Sequence, residues 1–239
     1  MPKERRKIIQ AGRLWMAVQY TAIPTQNQAA RRVARSLIST PARESLNAKL
    51  SWQKLMITLA ANFESTDLVV TLTYRDRDLP GRREDADRYL SNFIRALRGH
   101  RKARGQPLVY VRVTEGCHTG GRLHHHLIIN ATGDDFDIIR QLWRKHGDDV
   151  DFEKFGSDGA ERWAKYLTKE PREKGRRHIG DRTWRTSVGM NKPTVYYEFV
   201  PEYSDLSPPP GASVTDKTEC TNSYGRFCHM MALLPESPK

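Results

Sequence analysis

The sequence predicts an α+β protein: an antiparallel sheet of ferredoxin-like or RRM-like order with helices packed on one face. Three observations predict it. Short runs rich in β-branched and aromatic residues recur, as in DLVVTLTY and PLVYVRVTEG. Segments with apolar residues three and four apart stand between them. The two patterns alternate as strand, helix, strand, strand, helix, strand, helix, which is the split βαβ arrangement.

Each element has its own justification. SWQKLMITLAANF (51–63) spaces Trp52, Leu55, Met56, Leu59 and Phe63 as a helix does, with Ser51 as N-cap. DLVVTLTY (67–74) reads as a strand, and RDRDLPGRRE as a polar turn. EDADRYLSNFIRALRGH carries the stripe Tyr89, Leu90, Phe93, Ile94 and Leu97, with Gly99 as its stop. PLVYVRVTEG (107–116) and RLHHHLIIN (122–130) are two strands, and the glycine-rich GCHTGG between them predicts a hairpin. DDFDIIRQLWRKHG (134–147) is an amphipathic helix, DVDFEKF a short strand, and SDGAERWAKYLTKEP a helix ended by Pro171.

The ends read differently. Residues 1–50 hold ten Lys or Arg against two acids and few apolar residues, so they are read as a basic N-terminal arm, partly helical or disordered, with RRVARS as a short basic helix. Residues 51–200 form the expected catalytic domain. Residues 201–239, opening on the proline-rich SPPPGAS region, are read as a flexible polar C-terminal tail. Across all 239 residues the net charge is +12, which points to a polyanionic partner, nucleic acid before membrane. The three cysteines, Cys117, Cys220 and Cys228, form no CxxC pair, which argues against a disulfide framework or a zinc ribbon. No apolar signal segment follows the basic N-terminus, and no apolar run approaches membrane-helix length. A reducing, DNA-containing compartment, the cytoplasm, is the expectation.

The stretch GRLHHHLIIN sets three histidines on one strand. Side chains of a strand alternate between faces. Leu123, His125, Leu127 and Ile129 share the side that packs on helices, while His124 and His126 share the other. Two imidazoles at i and i+2 are either ordinary histidines or two ligands of one divalent ion, and their shared face beside a glycine-rich turn favours ligands. A hairpin fold-back would bring Glu115, at the end of the partner strand, to the same pair. Two imidazoles and a carboxylate suit Mn²⁺ or Mg²⁺ and leave positions open for a phosphate oxygen. Cys117 and His118 in the turn match no closed zinc pattern. Further on, WAKYLTKE places Trp163, Tyr166 and Lys169 on adjoining helical faces. Tyr166 is a candidate nucleophile with a cation one turn away, or else the edge of an amphipathic core.

TLTY (71–74), the Glu115 to His126 segment and YLTK (166–169) come in an order that resembles the HUH endonucleases, specifically the rolling-circle replication initiators of plasmids, phages and related mobile elements. The likeness covers roughly residues 62–193 and includes RTSVGMNKP after the tyrosine helix. His125 departs from it, because that middle position is usually apolar. The resemblance implies a ferredoxin-like HUH fold and a metal-dependent endonuclease and strand transferase. Its metal ligands would be His124, His126 and Glu115, and its catalytic residues Tyr166 and Lys169. Tyr166 would nick single-stranded origin DNA, become joined to the 5′-phosphate, free a 3′-OH, and later rejoin ends. Arg122, Arg172, Lys174, Arg176, Arg177, Arg182, Arg185 and Lys192 would contact the DNA backbone. Trp184 would pack or stack on a base. No GxxxxGK[ST] occurs, so no nucleotide cofactor is expected, and a host helicase and DNA polymerase would act as partners. Relaxases and single-tyrosine transposases share this pattern, and a non-catalytic DNA-binding regulator would keep the fold without the chemistry.

Overall fold

Along the chain run β1 (Lys3–Ala11), β2 (Leu14–Thr21), α1 (Pro41–Ala60), β3 (Leu68–Thr73), α2 (Arg83–Lys102), β4 (Tyr110–Glu115), β5 (His124–Ile129), α3 (Asp135–Trp143), β6 (Val150–Lys154), α4 (Gly159–Leu167), β7 (Arg185–Thr186), β8 (Thr194–Pro201), β9 (Ser213–Asn222) and β10 (Gly225–Leu233). This computed structural model describes residues 3–21, 41–116, 122–169, 184–222 and 225–236. The chain divides into one unit that is continuous, residues 44–190, and one assembled from both ends, residues 1–43 and 191–239.

In the continuous unit the sheet order is β6-β3-β5-β4-β7, and every neighbouring pair is antiparallel. Strands β3 and β4 are joined through α2 and run parallel with β5 inserted between them, as the split βαβ order requires. The α+β class is therefore as expected. On one face Leu68, Val70, Leu72, Leu127 and Ile129 pack with Leu90, Phe93, Ile94 and Leu97 of α2 and with Ile139 and Trp143 of α3. The indole N–H of Trp143 also donates to the Thr73 carbonyl at 2.9 Å.

Helices are not confined to that face. Val69, Val111, Val113 and Ile128 on the other side are buried too, and the Tyr166 ring of α4 meets His126 there at 5.3 Å. Strands apolar on both sides need cover on both sides. Helix α1 starts ten residues before Ser51, which therefore lies inside it and is no N-cap. Ser51 instead accepts a 3.4 Å hydrogen bond from the indole of Trp184, so that tryptophan is tied into the fold. Helix α2 likewise runs through Gly99 to Lys102.

Arg101, at the end of α2, is 1% exposed and pairs with the fully buried Asp135 at 2.5 Å. It also donates to the Asn130 side chain at 2.9 Å and to the Asn130 carbonyl at 2.8 Å. One guanidinium thus fastens the end of β5 to the start of α3.

The second unit has the sheet order β8-β1-β2-β10-β9. Trp15, Ala17, Cys228, Met230 and Ala232 form its core with Leu206 from the β8–β9 connection. Beside it, Glu4, fully buried, accepts from Gln19 at 2.5 Å and from Arg226 at 3.3 Å. Both donors also reach the Ser204 carbonyl, which holds the connection on the sheet. The stretches expected to be a basic arm and a polar tail thus contain strands. LWMAVQYT and GRFCHMMAL each hold only part of a sheet, and each gains its partner from the opposite end of the chain. The RRVARS segment lies outside the described residues.

Arg101→Ala is expected to cost about 3–5 kcal/mol, because it leaves the Asp135 carboxylate buried and unpaired. The double change Arg101→Met with Asp135→Leu should recover much of that loss. Urea unfolding of the full chain measures both, and a single-variant loss under about 1 kcal/mol would show that the pair is not holding the two elements.

Candidate metal centre and tyrosine helix

Strand β5 is hydrogen-bonded on both edges, to β3 and to β4. In this register Glu115 lies directly opposite His124, Thr71 opposite His126, and Thr114 opposite His125. Alternation then sends His124 and His126 to one face and His125 to the helix-covered face.

His125 is completely buried. The Thr114 hydroxyl donates to Asp87 at 2.9 Å, so it accepts from Nδ1–H of His125 at 3.0 Å. The Tyr74 hydroxyl then donates to Nε2 at 2.7 Å. This network assigns a neutral tautomer with both ring nitrogens satisfied. Burial, followed by the nearby charges of His124 and Arg112, pulls the imidazole down to about 3. Burial also raises the Tyr74 phenol, which keeps it a donor.

The other two histidines converge. Nδ1 of His124 donates to the Arg122 carbonyl at 2.9 Å, and Nδ1 of His126 lies 3.1 Å from the Thr71 hydroxyl. With both Nδ1 atoms so engaged, both Nε2 atoms turn toward each other at 3.1 Å. Each lies 3.6 Å from the same oxygen, Oε2 of Glu115. Two imidazole lone pairs cannot face one another at that distance without a proton or a cation between them. Oε1 of Glu115 is buried with no hydrogen-bond partner among the described residues, a further ligand atom for a cation. The ligand atoms of Glu115, His124 and His126 all fall within 4.8 Å of one another. The set fits a divalent cation, held by mixed nitrogen and oxygen donors from one side.

The electrostatics agree. Burial alone would raise the Glu115 carboxyl, but the imidazoles of His124 and His126 at 3.6 Å and the charge of Lys169 outweigh it and bring it to about 2. The Glu115 carboxylate in turn raises His124 above its ordinary value. Positive charge is wanted at this point, and a proton supplies it where a metal does not. Gly116 makes the placement possible: its φ is +86°, and a side chain there would strike the Arg122 carbonyl that holds His124.

Helix α4 brings the remaining pieces. Trp163, Ala164 and Leu167 form its buried stripe, and Tyr166 sits at the edge, 39% exposed. Gly159 allows the helix to begin against Phe155, whose ring a β-carbon would meet at 2.6 Å. Tyr166 packs against Trp163 at 5.6 Å and edge-on to His126 at 5.3 Å. The Lys169 ammonium lies 3.5 Å from the Tyr166 ring centre and 3.6 Å from Oε2 of Glu115. Burial works against its charge, but the Tyr166 hydroxyl and the Glu115 carboxylate outweigh that and raise it, so it stays a cation. Lys165 turns elsewhere, to Glu161 at 2.6 Å.

Glu115, His124, His126, Tyr166 and Lys169 are therefore brought together. The basic residues are more scattered. Arg122 donates to Asp76 and to the Tyr74 carbonyl, so its side chain braces the loop after β3. Arg185 is exposed on the edge strand β7, opposite Arg112. Lys192 is exposed in the other unit. Arg172, Lys174, Arg176, Arg177 and Arg182 lie outside the described residues, as do Cys117 and His118. Thr71 entered the sequence reading only as the first residue of TLTY and Thr114 only as part of a strand, and neither was given a role. The only sign of them is a threonine at a strand position, whose meaning depends on the partner strand's register.

Residues 67–171 match the family model for replication-associated protein ORF2/G2P. The matched span opens just before β3 and closes just beyond α4, so it contains all five converging residues. No curated protein and no solved structure matches the chain. The family match points to a role in DNA replication and to DNA as partner, and the α+β architecture and metal-ligand grouping are consistent with it. No helix among the described residues is long and apolar enough to cross a membrane.

Two outcomes separate the histidines. His124→Ala and His126→Ala should abolish Mn²⁺ binding by titration calorimetry, and Thr71→Val should weaken it about 10–100-fold. His125→Ala should keep binding but lose about 2–5 kcal/mol of stability, since it leaves a cavity and strands Tyr74 and Thr114. Equal loss of metal in all three histidine variants would sink the division of faces. The second outcome is a pH dependence. His125 is depressed in the fold, so the unfolded chain takes up a proton near pH 6.5 that the folded chain refuses until about 3. Stability should therefore fall as pH drops through that window, and the fall should be shallower in His125→Gln.

Proposed function

We propose that the chain is a rolling-circle replication initiator, a metal-dependent endonuclease and strand transferase that nicks and rejoins single-stranded DNA at an origin. One observation carries the reading. Tyr166 stands edge-on to a metal-ligand histidine, with a cation over its ring that also touches the ligand carboxylate. Three separate sequence stretches supply these groups, and a core alone has no use for the combination.

In this reading the Tyr166 oxygen attacks the scissile phosphorus. A bond from phosphorus to Tyr166 forms as the bond to the 3′ oxygen breaks. The phenol proton leaves and the 3′ oxygen takes one up, which frees a 3′-OH for a polymerase. One phosphoester replaces another, so rejoining needs no nucleotide. Lys169 is held charged, so it serves as a cation that favours the Tyr166 phenolate rather than as a base. His124, His126 and Glu115 would hold Mn²⁺ or Mg²⁺, and the nitrogen-rich set suits Mn²⁺ better. When bound, that ion supplies positive charge against the scissile phosphate. Thr71 and the Arg122 carbonyl keep both imidazoles turned toward it. The same groups suit a relaxase or a single-tyrosine transposase, which differ in the DNA they engage. Unwinding and copying would fall to a host helicase and polymerase, in a bacterial cell carrying a plasmid, phage or other mobile element.

With Mn²⁺ and a labelled hairpin-origin oligonucleotide, the protein should form an adduct that survives SDS, and Tyr166→Phe should form none. An adduct in the Phe variant would assign the nucleophile to another residue. No adduct from either protein across a randomised single-stranded pool would favour a non-catalytic DNA-binding regulator. Lys169→Met should slow adduct formation about 10²-fold or more while leaving Mn²⁺ affinity within a few-fold.

A further inference from the structure

The unit built from the two chain ends carries an open face that its fold does not use. Cross-strand partners of an antiparallel sheet point the same way, so the register assigns the rows. One row reads Phe199, Arg5, Tyr20, Phe227 across β8, β1, β2 and β10. The next reads Tyr197, Lys7, Val18, His229 across the same strands. Lys3 continues the β1 column beyond them. Phe199 is 65% exposed, Tyr197 57% and Phe227 40%, so large aromatic surfaces stand in water. In the third row Ile9, Met16 and Met231 are buried and only Val195 of the edge strand β8 is exposed, so the patch is widest across the first two.

The patch is basic as well as aromatic. The Arg5 guanidinium lies 4.8 Å from the Tyr197 ring centre and the Lys7 ammonium 5.8 Å. Neither these two nor Lys3 forms an ion pair with a described residue, and the acid nearest the two rows, Asp216, is taken up by His229 at 3.2 Å. Buried partners would have neutralised these charges had the face been meant for an apolar interface. Apposing a second copy would set like charges against like. What the face offers is flat π surfaces interleaved with cations that no described acid neutralises, on strands about 4.8 Å apart. An unpaired nucleic acid strand presents the complement: bases with free faces and a phosphate on every residue.

We propose that this face is a second, sequence-tolerant binding site for single-stranded DNA, with bases stacked on Phe199, Tyr197 and Phe227 and phosphates neutralised by Lys3, Arg5 and Lys7. The site lies outside the matched residues 67–171 and uses none of the groups assigned to nicking. It stands or falls apart from the nicking reading.

The test uses the full chain in EDTA, with a 15-nucleotide oligo-dT carrying 5-iododeoxyuridine. Photo-crosslinks should map to Tyr197, Phe199, Tyr20 or Phe227. Phe199→Ala and Phe227→Ala should each weaken binding about tenfold, within the roughly 5- to 150-fold that one stacked base is worth. Phe199→Trp should restore it, and Arg5→Ala should reduce the salt slope by about one. Duplex DNA should compete poorly, because its bases are already stacked. Unchanged affinity in the alanine variants at an unchanged melting temperature, or crosslinks confined to residues 44–190, would overturn the proposal. So would binding of phosphatidylserine vesicles, with loss of vesicles but not of DNA in the variants. Binding is read in EDTA, where no metal-dependent nicking takes place, so a failure of the nicking assay leaves this result readable.

Discussion

A strand paired along both edges cannot choose which face its side chains occupy. That constraint on β5 governs the rest of the continuous unit. With β3 and β4 on either side, three adjacent imidazoles must divide, two one way and one the other. The division then fixes what each needs. The pair turned away from α2 and α3 needs positive charge between its nitrogens, and Glu115 across the register helps to hold it there. The single imidazole turned inward must be neutral and fully hydrogen-bonded, because an uncompensated charge in that core would cost several kcal/mol. Tyr74 and Thr114 meet that requirement. The first and last residues of TLTY thus serve opposite faces of one sheet, Thr71 steadying His126 and Tyr74 steadying His125.

Glu115 is the point where the site's demands meet. It is buried, yet two imidazoles and an ammonium converge on one of its oxygens while the other has no partner among the described residues. A carboxylate held so far below its ordinary range remains charged across the whole physiological range, so the cation-binding character of the centre does not depend on mild changes of pH. Lys169 completes the arrangement by joining that carboxylate to the aromatic ring of Tyr166. Helix, strand end and hairpin base are connected through one side chain, and movement of any of them disturbs the others.

The parts of this protein that local patterns encode could be read from the sequence. Period two along HHHLII separates the histidines without knowledge of any neighbour. The helical spacing of Tyr89, Leu90, Phe93 and Leu97 marks α2 in the same way. Glu115 was legible one step further out, since a short turn leaves few ways to fold the hairpin back. Thr71 was not, because its partner His126 lies 55 residues away on another strand. Thr114 shares the hairpin of Glu115, but its role also needs Asp87, 27 residues away, to take its proton. The terminal sheet was hidden most completely. Ile9 pairs with Val195 and Leu14 with Leu233, and no local window contains both members of either pair. A basic, sparsely apolar segment looks like an arm until its distant partner strand is known.

That last pairing has a consequence for how the chain is made. Strand β1 ends up between β2 and β8 inside its sheet, yet it is synthesised well before β8 and β10. On a ribosome the continuous unit has all its strands well before the terminal sheet does, while the β1–β2 hairpin waits with both outer edges unpaired. Unpaired edges invite association with other chains, and closely spaced cations are a common defence. Lys3, Arg5, Arg6 and Lys7 lie on that waiting strand. Their charge can therefore guard a nascent hairpin through most of translation, long before the finished face meets any ligand.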